Sequence, residues 1–256
     1  MKILVIGDVV GKRTVEYLSK NLWKYRSEEG VDLVIANGEN ACDIHGISPA
    51  EADALFDAGV DVITGGNHSF RRRDIYAYME NSERIIRPAN YPDTSPGAGY
   101  ALVDADDRRV LVINVMGTVM MEPLANPFEC VDKILAREDG KYDLSVLDVH
   151  AEATSEKIAL GYYFDGRISV VFGTHTHVAT ADERVLDGGT AYITDVGMSG
   201  PVDGVIGAKR EEIICKLKDH MPSQFTVADG SITCSGIITE IDAAAKKASS
   251  IKRINF

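Results

Sequence analysis

The sequence predicts an α/β protein in which two packed mixed β-sheets are flanked by helices. Short apolar runs alternate with segments whose apolar residues recur every three or four positions, the pattern of strands alternating with amphipathic helices. Several apolar runs carry almost no polar residues, as expected of strands in a sheet that is covered on both faces. Strands dominate the later part of the chain. Two packed sheets covered by helices are therefore the arrangement that best fits all the predicted helices and strands.

The first half of the chain has the pattern of a β–α–β unit that is then repeated. Lys2–Gly7 is an apolar run, and Thr14–Glu28 follows it with Val15, Leu18 and Leu22 at helical spacing. These spacings predict a strand followed by an amphipathic helix. The other elements predicted in this half are strand Val31–Ala36, helix Pro49–Ala58 after the possible N-cap Ser48, strand Val60–Thr64 and a helix near Arg72–Met79.

The second half begins with a predicted hairpin. Prolines and glycines predict an irregular segment over Arg87–Gly99. A DADDRR turn then joins the strands Tyr100–Asp104 and Arg109–Val115. Ala243–Ala248 is expected to be a turn or a tail. The other predicted elements are helix Phe128–Arg137, strand Leu144–Val149, helix Ala153–Leu160, strand Ile168–Phe172, strand Ala191–Thr194, helix Lys209–His220, and strands Gln224–Val227 and Ile232–Ile241.

Length and composition are those of an ordinary globular protein. The chain has 256 residues, of which 45% are hydrophobic and 26% charged, so it can bury a large core without disulfides. One large α/β domain can absorb this length, and we expect a single domain over residues 1–256. The four cysteines lie far apart with no CxxC pair, which predicts free thiols in a reducing compartment.

Charge and hydropathy make two classes of partner improbable. Lys and Arg number 27 against 39 Asp and Glu, a net charge of −12, whereas broad nucleic-acid binding needs many cationic contacts with phosphate. No apolar stretch reaches the roughly 18 residues of a membrane span, and MKILVIGD turns acidic too early for a secretory signal. The prediction is a cytoplasmic protein that binds neither a membrane nor nucleic acid broadly.

Polar residues able to bind metal follow five of the apolar runs. Ligands of open α/β sheets bind outside the carboxyl ends of the strands, so residues far apart in sequence can meet there. One such end alone is weak support, because polar residues naturally leave the core at strand ends. Five ends carrying His, Asn and carboxylate side chains are harder to dismiss. The eight candidates are Asp8, Glu39, Asn40, Asn67, His68, His150, His175 and His177.

The types of donor atom among these candidates favour a transition-metal site. In an extended segment residues i and i+2 point to the same side, so His175 and His177 are expected to face one site while Thr176 faces away. Mixed nitrogen and oxygen donors suit Fe, Mn, Zn or Co. The candidates exceed what one tetrahedral ion requires, and Glu39 can bridge two cations, so two metal ions are plausible.

Competing motifs are weaker. GDVVGK superficially resembles a phosphate-binding loop, but it lacks the required spacing and has Arg13 where Ser or Thr should bind magnesium. No GxGxxG follows a strand, and no GxSxG is present, which removes the sequence support for dinucleotide binding and for a serine hydrolase.

Seven motifs give the chain a family resemblance. In order along most of the chain stand GDVVG, NGEN, GGNH, RPANYP, DVHAEATSEK, GTHTHVATAD and ITDVGMSGP. Together they resemble the YmdB-like branch of the calcineurin-type metallophosphoesterases. The resemblance implies a four-layer sandwich of two mixed sheets between helices, a dinuclear metal centre, and phosphodiesterase activity on cyclic nucleotides such as 2′,3′-cyclic AMP.

The resemblance also implies a role for each candidate residue. His68 is the implied proton donor, and Fe or Mn are the expected ions, of which two would activate a bridging hydroxide as the nucleophile. The ligands implied for one metal are Asp8, Glu39, Asn40 and His177, and for the other Glu39, Asn67, His150 and His175.

Two loops depart from the family pattern. Residues 41–46 replace a glycine-rich loop, and residues 69–74 carry SFRRRD in place of an aromatic and acidic stretch, so the substrate transfers less readily than the chemistry. Arg71–Arg73 fits a solvated helix face better than a surface that steers anions. A phosphomonoesterase and a metal-containing regulatory protein with little turnover stay open as alternatives. The physiological substrate, the native metal and homo-oligomer formation are not decided by the sequence.

Overall fold

The computed structural model describes residues 1–256 and contains the two mixed sheets that the sequence predicts. A 3-10 turn at Arg73–Ile75 precedes the third helix. The helices are α1 Lys12–Glu29, α2 Pro49–Asp57, α3 Tyr76–Asn81, α4 Pro127–Arg137, α5 Thr154–Tyr163 and α6 Arg210–Asp219. The strands are β1 Lys2–Ile6, β2 Asp8–Val9, β3 Leu33–Asn37, β4 Val62–Thr64, β5 Ile85–Ile86, β6 Tyr100–Ala105, β7 Arg108–Met116, β8 Leu144–His150, β9 Val170–Thr174, β10 Arg184–Val185, β11 Ala191–Ile193, β12 Met198–Pro201, β13 Ile232–Thr233, β14 Ser235–Asp242 and β15 Lys247–Asn255.

Each large sheet has six strands, and its centre is parallel. Sheet one has the order β15-β14-β1-β3-β4-β5 and sheet two the order β10-β11-β9-β8-β7-β6. In sheet one β1, β3, β4 and β5 run parallel, and in sheet two β7, β8, β9 and β11 do. The antiparallel strands lie at the sides. Parallel neighbours bring their carboxyl ends to one rim, which is where the candidate site residues follow.

Alternating side chains of the strands build a four-layer sandwich. In β1, Ile3 and Val5 belong to the core between the sheets, which also contains Val146 and Phe172 of sheet two. The intervening Leu4 points to the other face, into the core beneath α1 and α2. This alternation follows from the two-residue period of a strand. A third core lies between sheet two and the helices α4 and α5, so the predicted fold class is confirmed.

Helix α1 ends at Glu29, one residue beyond its predicted end. Val15, Leu18 and Leu22 form its buried face, as their spacing indicates. Gly30 adopts φ 63°, and its N–H donates to the carbonyls of Arg26 and Ser27. Glycine reaches this left-handed conformation without the penalty that a Cβ imposes, so it closes the helix and turns the chain into β3.

Three sequence expectations in the C-terminal part need correction. Gln224–Val227 is not a strand, because Thr226 donates its N–H to the carboxylate of Glu212 and only Val227 forms an isolated bridge. The run predicted as Ile232–Ile241 is divided at Cys234 into β13 and β14, which belong to different sheets. The turn expected over Ala243–Ala248 ends before Lys247, where β15 begins and pairs antiparallel with β14.

No helix of the chain has both the length and the apolar character that crossing a bilayer requires.

A buried ion pair links α5 to the end of sheet two. Lys157 Nζ lies 2.7 Å from Asp195 Oδ2, and each side chain is 1% exposed. Asp195 also accepts hydrogen bonds from the N–H and the hydroxyl of Thr176 and from the N–H of Gly197. These bonds satisfy the buried carboxylate and fix the segment between the two candidate histidines that flank Thr176.

We expect Lys157→Met to lower the free energy of unfolding by about 3–5 kcal/mol, because it leaves Asp195 buried without its counter-ion. The matched control is Lys24→Met, whose side chain is 76% exposed and whose change should stay within about 0.5 kcal/mol. Urea unfolding monitored by circular dichroism measures both. Equal stability of the two variants would contradict a structural role for the pair.

Candidate metal centre

The rim of the two sheets brings the predicted metal ligands into one connected cluster. Asp8 and His177 meet at 3.7 Å between Oδ1 and Nε2, and His177 Nε2 lies 3.4 Å from Asn40 Nδ2. Asn40 Nδ2 is 3.5 Å from Glu39 Oε1, which lies 3.2 Å from His150 Nε2. These four contacts join residues from both sheets.

The cluster continues from His150 to the two remaining ligand candidates. His150 Nε2 lies 2.9 Å from Asn67 Oδ1 and 3.1 Å from His175 Nδ1. Glu39, His150 and His175 each offer a ligand atom within 4.8 Å of the others. All seven predicted ligands are therefore neighbours, although they come from separate parts of the sequence.

The tautomer of His150 is set by a hydrogen-bond chain behind it. Thr174 Oγ1 donates to Asp148 Oδ1 at 2.7 Å, so this hydroxyl accepts from His150 Nδ1 at 2.9 Å. When the ring is neutral, a proton on Nδ1 leaves the Nε2 lone pair free to bind a cation. Thr64 Oγ1 donates to the other oxygen of Asp148 at 2.5 Å, which orients the carboxylate.

The other two histidines present a free nitrogen in the same way. His177 Nδ1 lies 3.0 Å from the carbonyl oxygen of Ile206, which can only accept, so Nδ1 carries the proton and Nε2 is free. His175 Nε2 lies 3.2 Å from Glu152 Oε2, and its Nδ1 therefore turns a lone pair toward His150. Hydrogen-bonded partners of this kind are what hold and orient histidine ligands in metal sites.

Hydrogen-bond acceptors exceed donors throughout this cluster. Glu39 Oε1, Asn67 Oδ1 and His175 Nδ1 all face His150 Nε2, and only one proton could sit among them. Asp8 Oδ1 and Asn40 Oδ1 are buried with no hydrogen-bond partner. Buried acceptors without a donor are costly, and a cation removes that cost. The residues therefore fit bound metal ions.

The charges of the metal-free chain support the same interpretation. Burial would raise the pKa of Glu39, but its contact with His150 and the N–H of His68 lower it to about 2. Burial would lower the pKa of His150, but Glu39, with Asp8 and Asp148, raises it to about 9. At pH 7 the metal-free chain thus holds a proton on His150 Nε2, and binding of a cation there must release it.

Backbone geometry at the two histidines differs from the expected extended segment. His175 has φ 100° and His177 has φ 64°, conformations that residues with a Cβ seldom adopt. The same-side argument from an extended strand was therefore wrong in its geometry. Both rings nevertheless face the cluster, His175 toward His150 and His177 toward Asp8, while Thr176 between them donates to Asp195.

Gly66 lets the chain pass against the His150 ring. A Cβ at Gly66 would lie 2.3 Å from His150 Nε2, far inside contact distance. The second glycine of GGNH is therefore required by close approach. It places Asn67 on the ligand side of His150.

His68 lies beside the candidate ligands. Its N–H donates to Glu39 Oε2 at 2.7 Å, and its ring stacks on His45 with 4.0 Å between centroids. Arg71 Nε donates to His68 Nδ1 at 3.3 Å. Burial lowers the pKa of His68 to about 4, with His45 and Arg71 adding to this effect and Glu39 opposing it. The ring is therefore neutral at pH 7 in the ligand-free chain.

Four residues that support the site were not singled out from the sequence. Asp148 and Thr174 orient His150, and Asp195 orients Thr176. Asn37 Nδ2 donates to the carbonyl of Gly65 at 3.0 Å and ties β3 to the start of GGNH. A carboxylate within the apolar run SVLDV was the available signal for Asp148, because a buried charge needs a partner.

Comparison with known proteins identifies the family of the chain. The family model of YmdB-like proteins matches residues 4–254. A 2′,3′-cyclic-nucleotide 2′-phosphodiesterase of Bacillus subtilis (strain 168) is 44% identical over 254 residues, which cover 99% of this chain and 96% of the relative. The chain belongs to the YmdB-like family. The resemblance predicted from the seven motifs is thus confirmed.

Two solved structures share the YmdB-like fold over the whole chain. A hypothetical protein from Thermus thermophilus is 38% identical with a TM-score of 0.94, covering 100% of this chain and 99% of that one. A novel phosphatase from Mycoplasma pneumoniae is 35% identical with a TM-score of 0.94, covering 100% and 93%. The family and its fold imply divalent metal ions, and the acceptor cluster of this chain suits them.

Proposed function

We propose that this YmdB-like chain is a metal-dependent phosphodiesterase that hydrolyses small phosphodiesters, with 2′,3′-cyclic nucleotides as the favoured class. The observation that carries the proposal is the cluster of acceptor atoms at the rim, which suits bound cations. Cations at this position would neutralise the negative charge of the phosphoryl oxygens. The B. subtilis relative, named for a 2′,3′-cyclic-nucleotide 2′-phosphodiesterase, supports the substrate class. The net charge of −12 favours a small ester over a polymeric nucleic acid.

Two groups of ligands are proposed to hold two ions, with Glu39 between them. Mixed imidazole, amide and carboxylate donors suit Fe or Mn. When bound, a pair of ions lowers the pKa of water toward neutrality and neutralises charge on the phosphoryl oxygens. The proposed groups are Asp8, Glu39, Asn40 and His177 for one ion and Glu39, Asn67, His150 and His175 for the other.

His68 is proposed as the proton donor to the leaving alkoxide, which departs poorly without a proton. Its stack on His45 and its bond from Arg71 fix the ring beside Asn67. Because its pKa is lowered to about 4 in the ligand-free chain, the role requires that the anionic substrate stabilise the imidazolium. A phosphoryl oxygen beside the ring supplies such a charge. The role also requires that Arg71 release Nδ1, which cannot accept a hydrogen bond once it is protonated.

A phosphomonoesterase is the second candidate, since the M. pneumoniae structure is described as a phosphatase. The same metal ligands suit hydrolysis of a phosphomonoester or a phosphodiester, because they do not depend on whether one or two phosphate oxygens are esterified. Metal-defined protein assayed with bis(p-nitrophenyl) phosphate, p-nitrophenyl phosphate and 2′,3′-cyclic nucleotides separates these activities. Turnover of the diesters with little turnover of the monoester supports our proposal, the reverse supports a phosphatase, and no turnover supports a regulatory binding protein.

We expect the purified protein to hold about two transition-metal ions per chain. His150→Ala or His175→Ala should empty mainly one position, and Asp8→Asn should weaken the other, because an amide lacks the charge that attracts a cation. Metal analysis and anomalous scattering at each position measure this. His220→Ala, an exposed histidine at the end of α6, is the matched control. Full occupancy of both positions in the His150 and His175 variants would remove these histidines from the ligand set.

We expect His68→Ala to keep its metal and to lower kcat by roughly 10²–10⁴-fold on an alkyl or nucleoside phosphodiester. The loss should shrink on a p-nitrophenyl ester, since p-nitrophenolate departs without a proton. His220→Ala again serves as the control. An equal loss on both types of ester would assign His68 to phosphate positioning, and a loss of metal would make it a ligand. Reduced stability with unchanged kcat per folded molecule would leave it only a packing role.

A further inference from the structure

A cavity of about 770 Å³ lies between the RPANYP segment and α4, and its wall includes Tyr91, whose ring packs on Phe70 at 5.2 Å. None of the seven candidate ligands lines it. The segment itself is anchored to the site side of sheet two, because Asn90 Oδ1 accepts from the N–H of Met116 and Ala89 donates to the carbonyl of Asn114. This volume falls in the range of small-molecule pockets, roughly 300–1,000 Å³.

Arg87 in the cavity wall is a buried cation that forms no direct ion pair, although the charge of Asp93 acts on it from farther away. Arg87 is 5% exposed. Its Nη1 donates to the carbonyl of Pro88 at 2.9 Å, but its Nε has no hydrogen-bond partner. No carboxylate oxygen lies within 4.0 Å of the Arg87 guanidinium nitrogens, the distance that an ion pair requires. A buried charge without a partner is expensive, so an anion that enters the cavity would relieve a cost that the fold leaves in place.

Two further cations line the same cavity from one face of α4. Lys133 lies 3.9 Å from Glu129 on the exposed surface, and Arg137 Nε lies 3.5 Å from Glu138. The first pair is exposed and therefore weak. In the second pair only Arg137 is exposed, at 73%, and the buried Glu138 keeps Tyr100 and Lys141 as other partners, so both cations can turn toward a ligand. Asp93 and Glu129 also line the cavity, which leaves an excess of one positive charge, three cations against two acids, in a chain whose net charge is −12.

We propose that this cavity is a second anion site, separate from the metal centre, that binds inorganic phosphate or a small phosphomonoester. The Arg87 guanidinium supplies the planar donors that match a tetrahedral oxyanion. Lys133 and Arg137 supply the remaining charge. The rings of Tyr91 and Tyr100 in the wall give an organic substituent an apolar surface. The site rests on Arg87 and not on the proposed hydrolysis.

Cys130 reports directly on this cavity, because it lines the wall beside Arg87. Cys215 on α6 is also half-buried and lies outside the cavity, so it is an internal control. Metal-loaded protein is alkylated with iodoacetamide at mildly alkaline pH, with and without inorganic phosphate or a nucleoside 5′-monophosphate. Mass spectrometry follows each cysteine. We expect either probe to slow alkylation of Cys130 several-fold and to leave Cys215 unchanged.

The variants separate this site from the metal centre. Protection of Cys130 should disappear in Arg87→Met, persist in the exposed control Arg108→Met, and persist in His150→Ala, whose metal centre is impaired under the proposed function. Asp93→Asn should give protection at a lower phosphate concentration, because it removes a repelling charge. If Arg87→Met fails to fold, Arg137→Met, which is 73% exposed at its side chain, should weaken protection instead.

Two results would overturn the second anion site. One is alkylation of Cys130 at the same rate with and without both probes. The other is undiminished protection in Arg87→Met, which would show that the guanidinium takes no part in binding the probes. An inactive enzyme that still shows protection of Cys130 would count against the proposed hydrolysis and not against this site.

Discussion

The rim of the two sheets is governed by a surplus of hydrogen-bond acceptors. Around His150 Nε2, oxygen and nitrogen lone pairs from three other side chains converge, and two more buried oxygens, on Asp8 and Asn40, have no donor at all. The hydrogen-bond donors of the surrounding side chains are too few for this set of buried acceptors. Bound cations would satisfy it, and the ligand set and the reaction that we propose rest on that fit.

Much of the rest of the fold serves to hold these acceptors against one another. The parallel strands of both sheets end at one rim, and the hydrogen-bond chain from Asp148 through Thr174 fixes which nitrogen of His150 is free. The buried pair of Lys157 and Asp195 fixes the strained turn that carries His175 and His177. Strain and buried charge of this kind persist only where surrounding contacts over-determine them.

The sequence predicted the positions of these groups because strand ends are visible as polar residues after apolar runs. It could not give the backbone of His175 and His177, whose positive φ values accompany hydrogen bonds from Thr176 to Asp195, a residue 19 positions further along the chain. Gln224–Val227 has strand-like composition, but Glu212 takes the N–H of Thr226 that a partner strand would need. Long-range pairing of this kind overrides local propensity.

Nitrogen-15 NMR of the His150 ring tests the central claim most directly, because it observes the proton that a cation must displace. In metal-free protein at pH 7 both ring nitrogens should be protonated, since the pKa of His150 is raised to about 9. In protein loaded with diamagnetic Zn²⁺, Nδ1 should keep its proton and Nε2 should shift to the value of a metal ligand. A proton retained on Nε2 after loading, or an Nε2 shift that the metal leaves unchanged, would contradict the account.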